Sequence, residues 1–169
     1  MSPAVRRLAL RLIALAVLLT LYPEIDWGSL RRGVRAVTCL ALTGMGHATG
    51  TDAATSFDVD GQVLFHVTPG CTYVRLILAG APFVWRFRRR LAGNALRLGI
   101  FTALLSAVNL LRLILAAHLA ALGHPWLLAH DVPDLGLHVT VFAATILPAL
   151  QEDVESVQEY PPQPHAARA

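Results

Sequence analysis

The chain contains no lysine, and charged residues of both signs are scarce. Its 169 residues are 55% hydrophobic and only 15% charged, and the mean hydropathy is +0.55. A soluble domain of this size needs more charge to cover its surface. The composition therefore favours an integral-membrane protein over a soluble helical one.

Cysteine is also rare, with one residue at position 39 and one at position 71. The sequence has no CxxC pair, and its histidines lack the spacing of a metal site. We therefore expect no metal and no other cofactor. A disulfide between Cys39 and Cys71 is an alternative to a free thiol, and it would suit a thiol–disulfide protein in an oxidising compartment.

The basic residues are all arginines, and the formal net charge is +3. Two clusters, Arg6-Arg7 and Arg86–Arg90, directly flank apolar runs, as charges that set membrane orientation do. No basic stripe is interleaved with aromatic residues, as it would be in a protein that binds single-stranded nucleic acid. The expected partner is the lipid bilayer, and nucleic acid is not expected.

Four apolar runs are candidate membrane spans. The first is interpreted as an uncleaved helix rather than a signal peptide, because no small-x-small cleavage site follows it. Arg86–Arg90 places the loop before the third span in the cytoplasm. We expect one integral-membrane domain over residues 1–154 and a disordered cytoplasmic tail over 155–169. The spans are about 6–22, 71–86, 91–115 and 132–150.

Two further elements are predicted between the first and second spans. Residues 29–46 form a mixed segment whose apolar part, about ten residues, is too short to cross. The segment indicates an amphipathic helix on the membrane surface, with a re-entrant segment as the alternative. Alternating apolar positions around Asp60-Gly61 predict a small extracytoplasmic β-hairpin. The predicted fold class is thus an all-α membrane bundle of about four transmembrane helices, with this interfacial helix and hairpin.

Reactive side chains recur at the extracytoplasmic ends of these spans. Cys71 opens the second span, with Arg75 expected one turn along the same helix face, and Arg112 and His138 lie at comparable depth at about 1.5 Å per helical residue. Asn109 precedes Arg112 by one turn. His130, in the loop before the last span, competes with His138 for the same role.

These residue types suit thiol chemistry. A neighbouring cation favours the thiolate form of cysteine, which is its nucleophilic form. An imidazole can take the thiol proton and return it to a leaving amine, and a guanidinium can stabilise an oxyanion. An arginine inside a membrane is costly, so a functional interpretation of Arg112 is the default.

The run Val67-Thr-Pro-Gly-Cys-Thr-Tyr-Val-Arg75, then Asn109-Leu-Leu-Arg112, then a histidine opening the last span, resembles the exosortase/archaeosortase family. The resemblance extends from about Asp58 to Leu150. It implies a polytopic cysteine protease and transpeptidase. Cys71 would be the nucleophile, Arg112 the essential arginine and His138 or His130 the base, with Asn109 and Arg75 in support. Tyr73 stands where glycine is common in the family.

The resemblance also implies a substrate, a location and a partner. The substrates would be exported proteins that end in a short motif, a hydrophobic helix and a basic cluster. The enzyme would reside in the bacterial cytoplasmic membrane with its site facing the extracytoplasmic side. The alternative is a non-catalytic membrane subunit of an exopolysaccharide or protein-export assembly.

Overall fold

The computed structural model describes residues 3–87 and 89–158, and this part of the chain is mostly helical. Arg88 and the tail residues 159–169 lie outside it. The helices are α1 (Pro3–Leu21), α2 (Gly28–Gly44), α3 (Val74–Val84), α4 (Leu91–Ala121) and α5 (Val132–Gln158). One antiparallel sheet contains β1 (Thr49–Ala53), β2 (Ser56–Val59) and β3 (Val63–His66), in that order.

Two helical segments are long and apolar enough to cross a bilayer. They are α4 and Leu127–Gln151, which joins a π-helical turn to most of α5. α1 meets the same criterion only together with α2, across a bend of 81°. α3 has 11 residues and rises about 16 Å, against a hydrocarbon thickness of roughly 30 Å. The structure therefore supports two spanning helices, or three with the bent pair, rather than the expected four.

The expected span over 71–86 is shorter in the structure because both of its ends leave the helix. Tyr73 has a left-handed backbone with φ 55°, and Trp85 is extended. At the far end, Arg11 of α1 donates hydrogen bonds to the carbonyls of Pro82 and Phe83, at 3.0 and 3.1 Å. Arg11 is only 2% exposed. A cation from a neighbouring helix thus satisfies carbonyls that a helix end leaves without partners.

The last two helices extend beyond the expected spans 91–115 and 132–150. α4 continues to Ala121 because alanine and leucine favour helix, and it ends where Gly123 has φ 85°. There the Gly123 and His124 amides bond the Ala120 and Leu119 carbonyls, the pattern of a Schellman motif. α5 runs to Gln158, four residues into the segment expected to be disordered, and it continues through Pro148.

The predicted hairpin is confirmed. β2 and β3 pair antiparallel from Ser56↔His66 to Val59↔Val63. Asp60 and Gly61 take positive φ values of 55° and 66° in the turn, which aspartate and glycine tolerate. β1, which lacks an alternating apolar pattern, was not predicted, and its pairing with β2 is irregular between Gly50 and Ala53.

The sheet packs onto α2 and α4 rather than projecting from the bundle. Its core contains Leu42, Phe57, Val59, Val67 and Ala117, and both cysteines pack against that cluster as free thiols. Two arginines of α2 bind the sheet or the residue that follows it. Arg31 donates to the Val67 carbonyl at 2.7 Å, and Arg35 donates to the Ala53 carbonyl at 2.8 Å.

A chain of hydrogen bonds joins the hairpin turn to the C-terminal part of α4. His47 Nδ1 lies 2.7 Å from Asp60 Oδ2, and His47 Nε2 lies 2.7 Å from His118 Nδ1. The Ala48 amide donates to the other Asp60 oxygen at 2.8 Å. The hydrogen bonds from His47 and then from Ala48 hold the pKa of Asp60 below its ordinary value.

We expect Gly80→Ala to destabilise the fold. A Cβ on Gly80 of α3 would lie 2.5 Å from Phe101 Cζ of α4, so the ring must move. Overpacking costs about 1–3 kcal/mol and outweighs the roughly 0.5–1 kcal/mol that alanine adds to a helix. The measurement is the thermal unfolding midpoint in detergent micelles, and Phe101→Leu should restore much of it. Gly99→Ala, which meets nothing within 4 Å, is the control.

We also expect Asp60 to contribute an acid-sensitive part of the stability. A carboxyl whose pKa is lowered by folding stabilises the protein above its ordinary value of 3.8 and loses that effect as the pH falls through the folded value. Near neutral pH, Asp60→Asn should therefore unfold at a lower temperature than the unsubstituted protein, and the two should converge below about pH 3. A difference that does not change with pH would contradict this assignment.

Candidate active site

Cys71 lies in a 3₁₀ turn, Pro69–Thr72, between β3 and α3. Proline at the start of this turn sets its backbone, and the Cys71 amide bonds the Thr68 carbonyl at 3.0 Å. The expectation that Cys71 opens a helix is therefore wrong, since α3 begins only at Val74. The Cys71 thiol contacts the Thr68 hydroxyl at 3.3 Å.

Because Cys71 is not helical, Arg75 does not share a helix face with it as predicted. Arg75 is exposed on the first turn of α3. It nevertheless lines the same cavity as Cys71. The cation is thus near the thiol through the shape of the turn rather than through helical spacing.

Asn109 of α4 connects the thiol turn to Arg112. It is 2% exposed, and its Nδ2 donates to the Cys71 carbonyl at 2.6 Å. Its Oδ1 accepts a hydrogen bond from Arg112 at 3.2 Å. A buried amide that uses both ends in this way fixes the backbone of the thiol turn to the guanidinium.

Arg112 is the charge at the centre of the site. It is 7% exposed, and its Nη1 lies 2.8 Å from Asp134 Oδ1 of α5. The ring of Tyr73 lies under the guanidinium, with its centroid 5.0 Å away. A buried cation is tolerated when it has a counter-ion and hydrogen bonds, and Arg112 has both.

Tyr73 is bound to the same carboxylate. Its hydroxyl donates to Asp134 Oδ1 at 2.8 Å. Burial, and then this hydrogen bond, raise the pKa of Tyr73, so the phenol stays protonated and keeps donating. This tertiary contact offsets the cost of roughly 1–2 kcal/mol that a left-handed backbone imposes on a side chain of this size.

His130 lies in the π-helical turn before α5 and contacts Arg112 directly. Its Nε2 is 3.1 Å from Arg112 Nη1, and its Nδ1 is 2.8 Å from Asp131 Oδ1. Since arginine can only donate, the pairing assigns the tautomer with hydrogen on Nδ1. Trp126 stacks on the imidazole with centroids 4.3 Å apart.

His138 sits one turn along α5 from Asp134. Its Nδ1 lies 2.8 Å from the Asp134 carbonyl and 3.4 Å from the Asp134 carboxylate. Its ring meets the Tyr73 ring edge-on at 5.3 Å, and 45% of its side chain is exposed. His138 is therefore held by Asp134 and Tyr73, whereas His130 is held by Arg112 and Asp131.

One cavity of about 530 Å³ collects these groups. In the part of the chain that the structure describes, no imidazole lies within hydrogen-bonding distance of the Cys71 sulfur. The predicted residues other than Asn109 thus line one cavity, but no thiol–imidazole pair is formed among them. The reactive or charged residues that line it are Cys71, Tyr73, Arg75, Arg112, His130, Asp134 and His138.

The sequence reasoning missed Asp134 and the role of Tyr73. The signal for Asp134 was present, because a carboxylate in the first turn of an otherwise apolar helix needs a partner. For Tyr73, the sequence shows only a residue that differs from glycine. Its left-handed conformation, which glycine adopts without steric cost, appears only in three dimensions.

We expect Asp134→Asn to destabilise the protein by roughly 2 kcal/mol. Its loss leaves a buried guanidinium without a counter-ion, but Asp134 is about one-third exposed, which lowers the cost below that of a fully buried pair. Asp131→Asn is the matched control, because Asp131 is 50% exposed and faces only an imidazole. Equal unfolding midpoints for the two variants in detergent would contradict the central position of Asp134.

Comparison of the chain with family models, with curated proteins and with solved structures gives no match.

Proposed function

We propose that this chain is a membrane-embedded cysteine protease or transpeptidase that cleaves C-terminal sorting signals of exported proteins. The observation that carries the proposal is the single cavity lined by a thiol, a buried arginine and two imidazoles from separate elements. A nucleophile, an anion-stabilising donor and a proton acceptor are the three groups that acyl transfer requires. The resemblance to the exosortase/archaeosortase family supplies the substrate class.

The reaction follows from the groups present. The imidazole takes the proton of the Cys71 thiol, and the thiolate attacks the carbonyl carbon of the scissile peptide. The oxyanion that forms is stabilised by Arg112. When it collapses, the carbon–nitrogen bond breaks and the imidazolium gives its proton to the leaving amine. Attack on the thioester by water or by an amine acceptor then restores the thiol and releases an acid or a new amide.

Arg112 retains donors for that oxyanion. A guanidinium has five N–H groups, and its partners here are Asp134, His130 and Asn109. Its Nε is buried and has no hydrogen-bond partner in the described part of the chain. A buried donor left unsatisfied is uncommon in folded proteins and suits a group that acts on a bound substrate.

The contact with Asp131 favours His130 over His138 as the base. Asp131 holds His130 Nδ1, which leaves Nε2 as the basic nitrogen, as in carboxylate–histidine pairs of other hydrolases. Nε2 is occupied by Arg112 in the free protein. A substrate carbonyl that takes the arginine donor releases this nitrogen, and catalytic hydrogen bonds commonly tighten only in the substrate complex.

The proposed location is the bacterial cytoplasmic membrane, with the site on the extracytoplasmic side. Arg86, Arg89 and Arg90 follow α3 at the end opposite Cys71, as expected for a cytoplasmic loop. In this proposal α1 and α3 also cross, which gives four passes. The substrate's hydrophobic tail would lie in the bilayer beside them. Tyr73 supports the resemblance, because it takes the conformation that glycine adopts freely.

The alternative function is a non-catalytic subunit of an export or exopolysaccharide assembly. The contact of the Cys71 thiol with Thr68, rather than with an imidazole, favours it. In that case the polar network would serve only to hold the helices together.

Replacement of Cys71 separates the two functions. In cells of the source organism, Cys71→Ser should leave exported proteins with an intact C-terminal tail, because serine is too weak a nucleophile without a matched base. Cys39→Ser, which changes the other free thiol at the same core, should process them normally. The measurement is the mass of the mature C-termini. Unchanged processing in Cys71→Ser would contradict the protease proposal. So would a genome that encodes no exported proteins with a C-terminal sorting tail.

A further inference from the structure

A second cavity borders the thiol on the side away from Arg75. It measures about 200 Å³ and shares Cys71 and His130 with the larger cavity. We propose that this cavity, here the apolar subsite, binds the bulky apolar side chain of the residue next to the scissile bond. The inference rests on the proposed function for the presence of a peptide, but the cavity itself does not depend on it.

The walls of the apolar subsite come from the sheet, α4 and the turn before α5. Its lining includes Phe57, Phe65, Val67, Leu113, Ala117 and Trp126. The aromatic rings form a continuous row. Phe57 and Phe65 stack at 5.1 Å, Phe65 and Trp126 lie 5.7 Å apart, and Trp126 stacks on His130. Burial of an aliphatic or aromatic group against such a surface is favourable, because it removes apolar area from water.

The volume of the apolar subsite fits one side chain but not a larger ligand. Drug-sized ligands need roughly 300–1,000 Å³, whereas an apolar cavity of about 150 Å³ already admits a benzene ring. The apolar subsite therefore fits a phenyl or isobutyl group. It is too small for a lipid acyl chain of ordinary length, and imidazoles of His66 and His130 line it.

Because the apolar subsite borders Cys71, the side chain that it binds belongs to a residue next to the scissile bond. Cys71 lines both cavities. When the carbonyl carbon of the scissile bond meets the sulfur, the residue on one side of that bond therefore faces the apolar subsite and the residue on the other side faces the larger cavity. The larger cavity bears the charged side chains of Arg75, Arg112 and Asp134, whereas no arginine or carboxylate among the described residues lines the apolar subsite. The apolar subsite is thus a specificity pocket that admits leucine, methionine or phenylalanine and disfavours charged residues.

Thiol-directed reagents can probe the apolar subsite without a substrate. The experiment uses the full chain with Cys39→Ser in detergent, so that Cys71 is the sole cysteine. The rates at which methyl, benzyl and 2-sulfonatoethyl methanethiosulfonate modify Cys71 are measured by mass spectrometry. Each rate is divided by the rate at which the same reagent modifies 2-mercaptoethanol, which corrects for intrinsic reactivity. Benzyl should exceed methyl by about tenfold, the factor for moving the equivalent of roughly two methylene groups out of water.

Filling the cavity should remove this preference. Ala117→Phe places a ring in the apolar subsite from α4, and Val63→Phe does so from β3, so that one variant serves if the other fails to fold. Either should lower the benzyl rate about tenfold and leave the sulfonatoethyl rate unchanged, because that anion enters beside Arg75. Ala103→Phe, on an exposed face of α4, is the control for detergent partitioning.

Three results would overturn the apolar subsite. The first is a benzyl rate equal to the methyl rate, and the second is a benzyl rate that is unchanged in both filled variants. The third is a dodecyl methanethiosulfonate rate higher than the benzyl rate, which would indicate a site for an acyl chain. None of them depends on peptide cleavage. Failure of the protease proposal in the Cys71→Ser experiment is therefore distinguishable from failure of the subsite.

Discussion

The neutralisation of Arg112 is the constraint on which the site depends. A guanidinium in an apolar helix costs several kcal/mol unless a counter-ion and hydrogen bonds accompany it. Asp134 supplies the charge from α5, and Tyr73 donates to the same oxygen from the turn before α3. Three elements that are distant in sequence are thereby held around one cation. The cavity beside Cys71 is the space that remains between them.

The thiol is positioned through its main chain. Asn109 holds the Cys71 carbonyl, and the turn after Pro69 fixes the amide, whereas the thiol contacts the Thr68 hydroxyl. This arrangement differs from a preformed thiol–imidazole pair. It makes the position of the thiol dependent on α4, which carries Asn109 and Arg112 one turn apart, and explains how residues of low individual specificity can define one site.

Local patterns predicted the elements that local chemistry determines. Asp60-Gly61 gave the hairpin, and apolar periodicity gave the helices, because turns and helices form from neighbouring residues. The order Cys71, Arg112 and histidine also predicted residues that share a cavity. The short α3, the left-handed Tyr73 and the counter-ion Asp134 depend on contacts across more than sixty positions. A local sequence pattern cannot predict these contacts, because the partners lie far apart in the chain.

Arg11 has a consequence for how α3 is completed. The carbonyls of Pro82 and Phe83 end a short helix, and without α1 they would lose the hydrogen bonds that Arg11 donates. A residue of α1 therefore completes a helix that lies some seventy positions later in the chain. Removal of α1 would therefore do more than shorten the bundle. It would take the hydrogen-bonding cation from one end of α3, the helix whose other end follows the turn that carries Cys71.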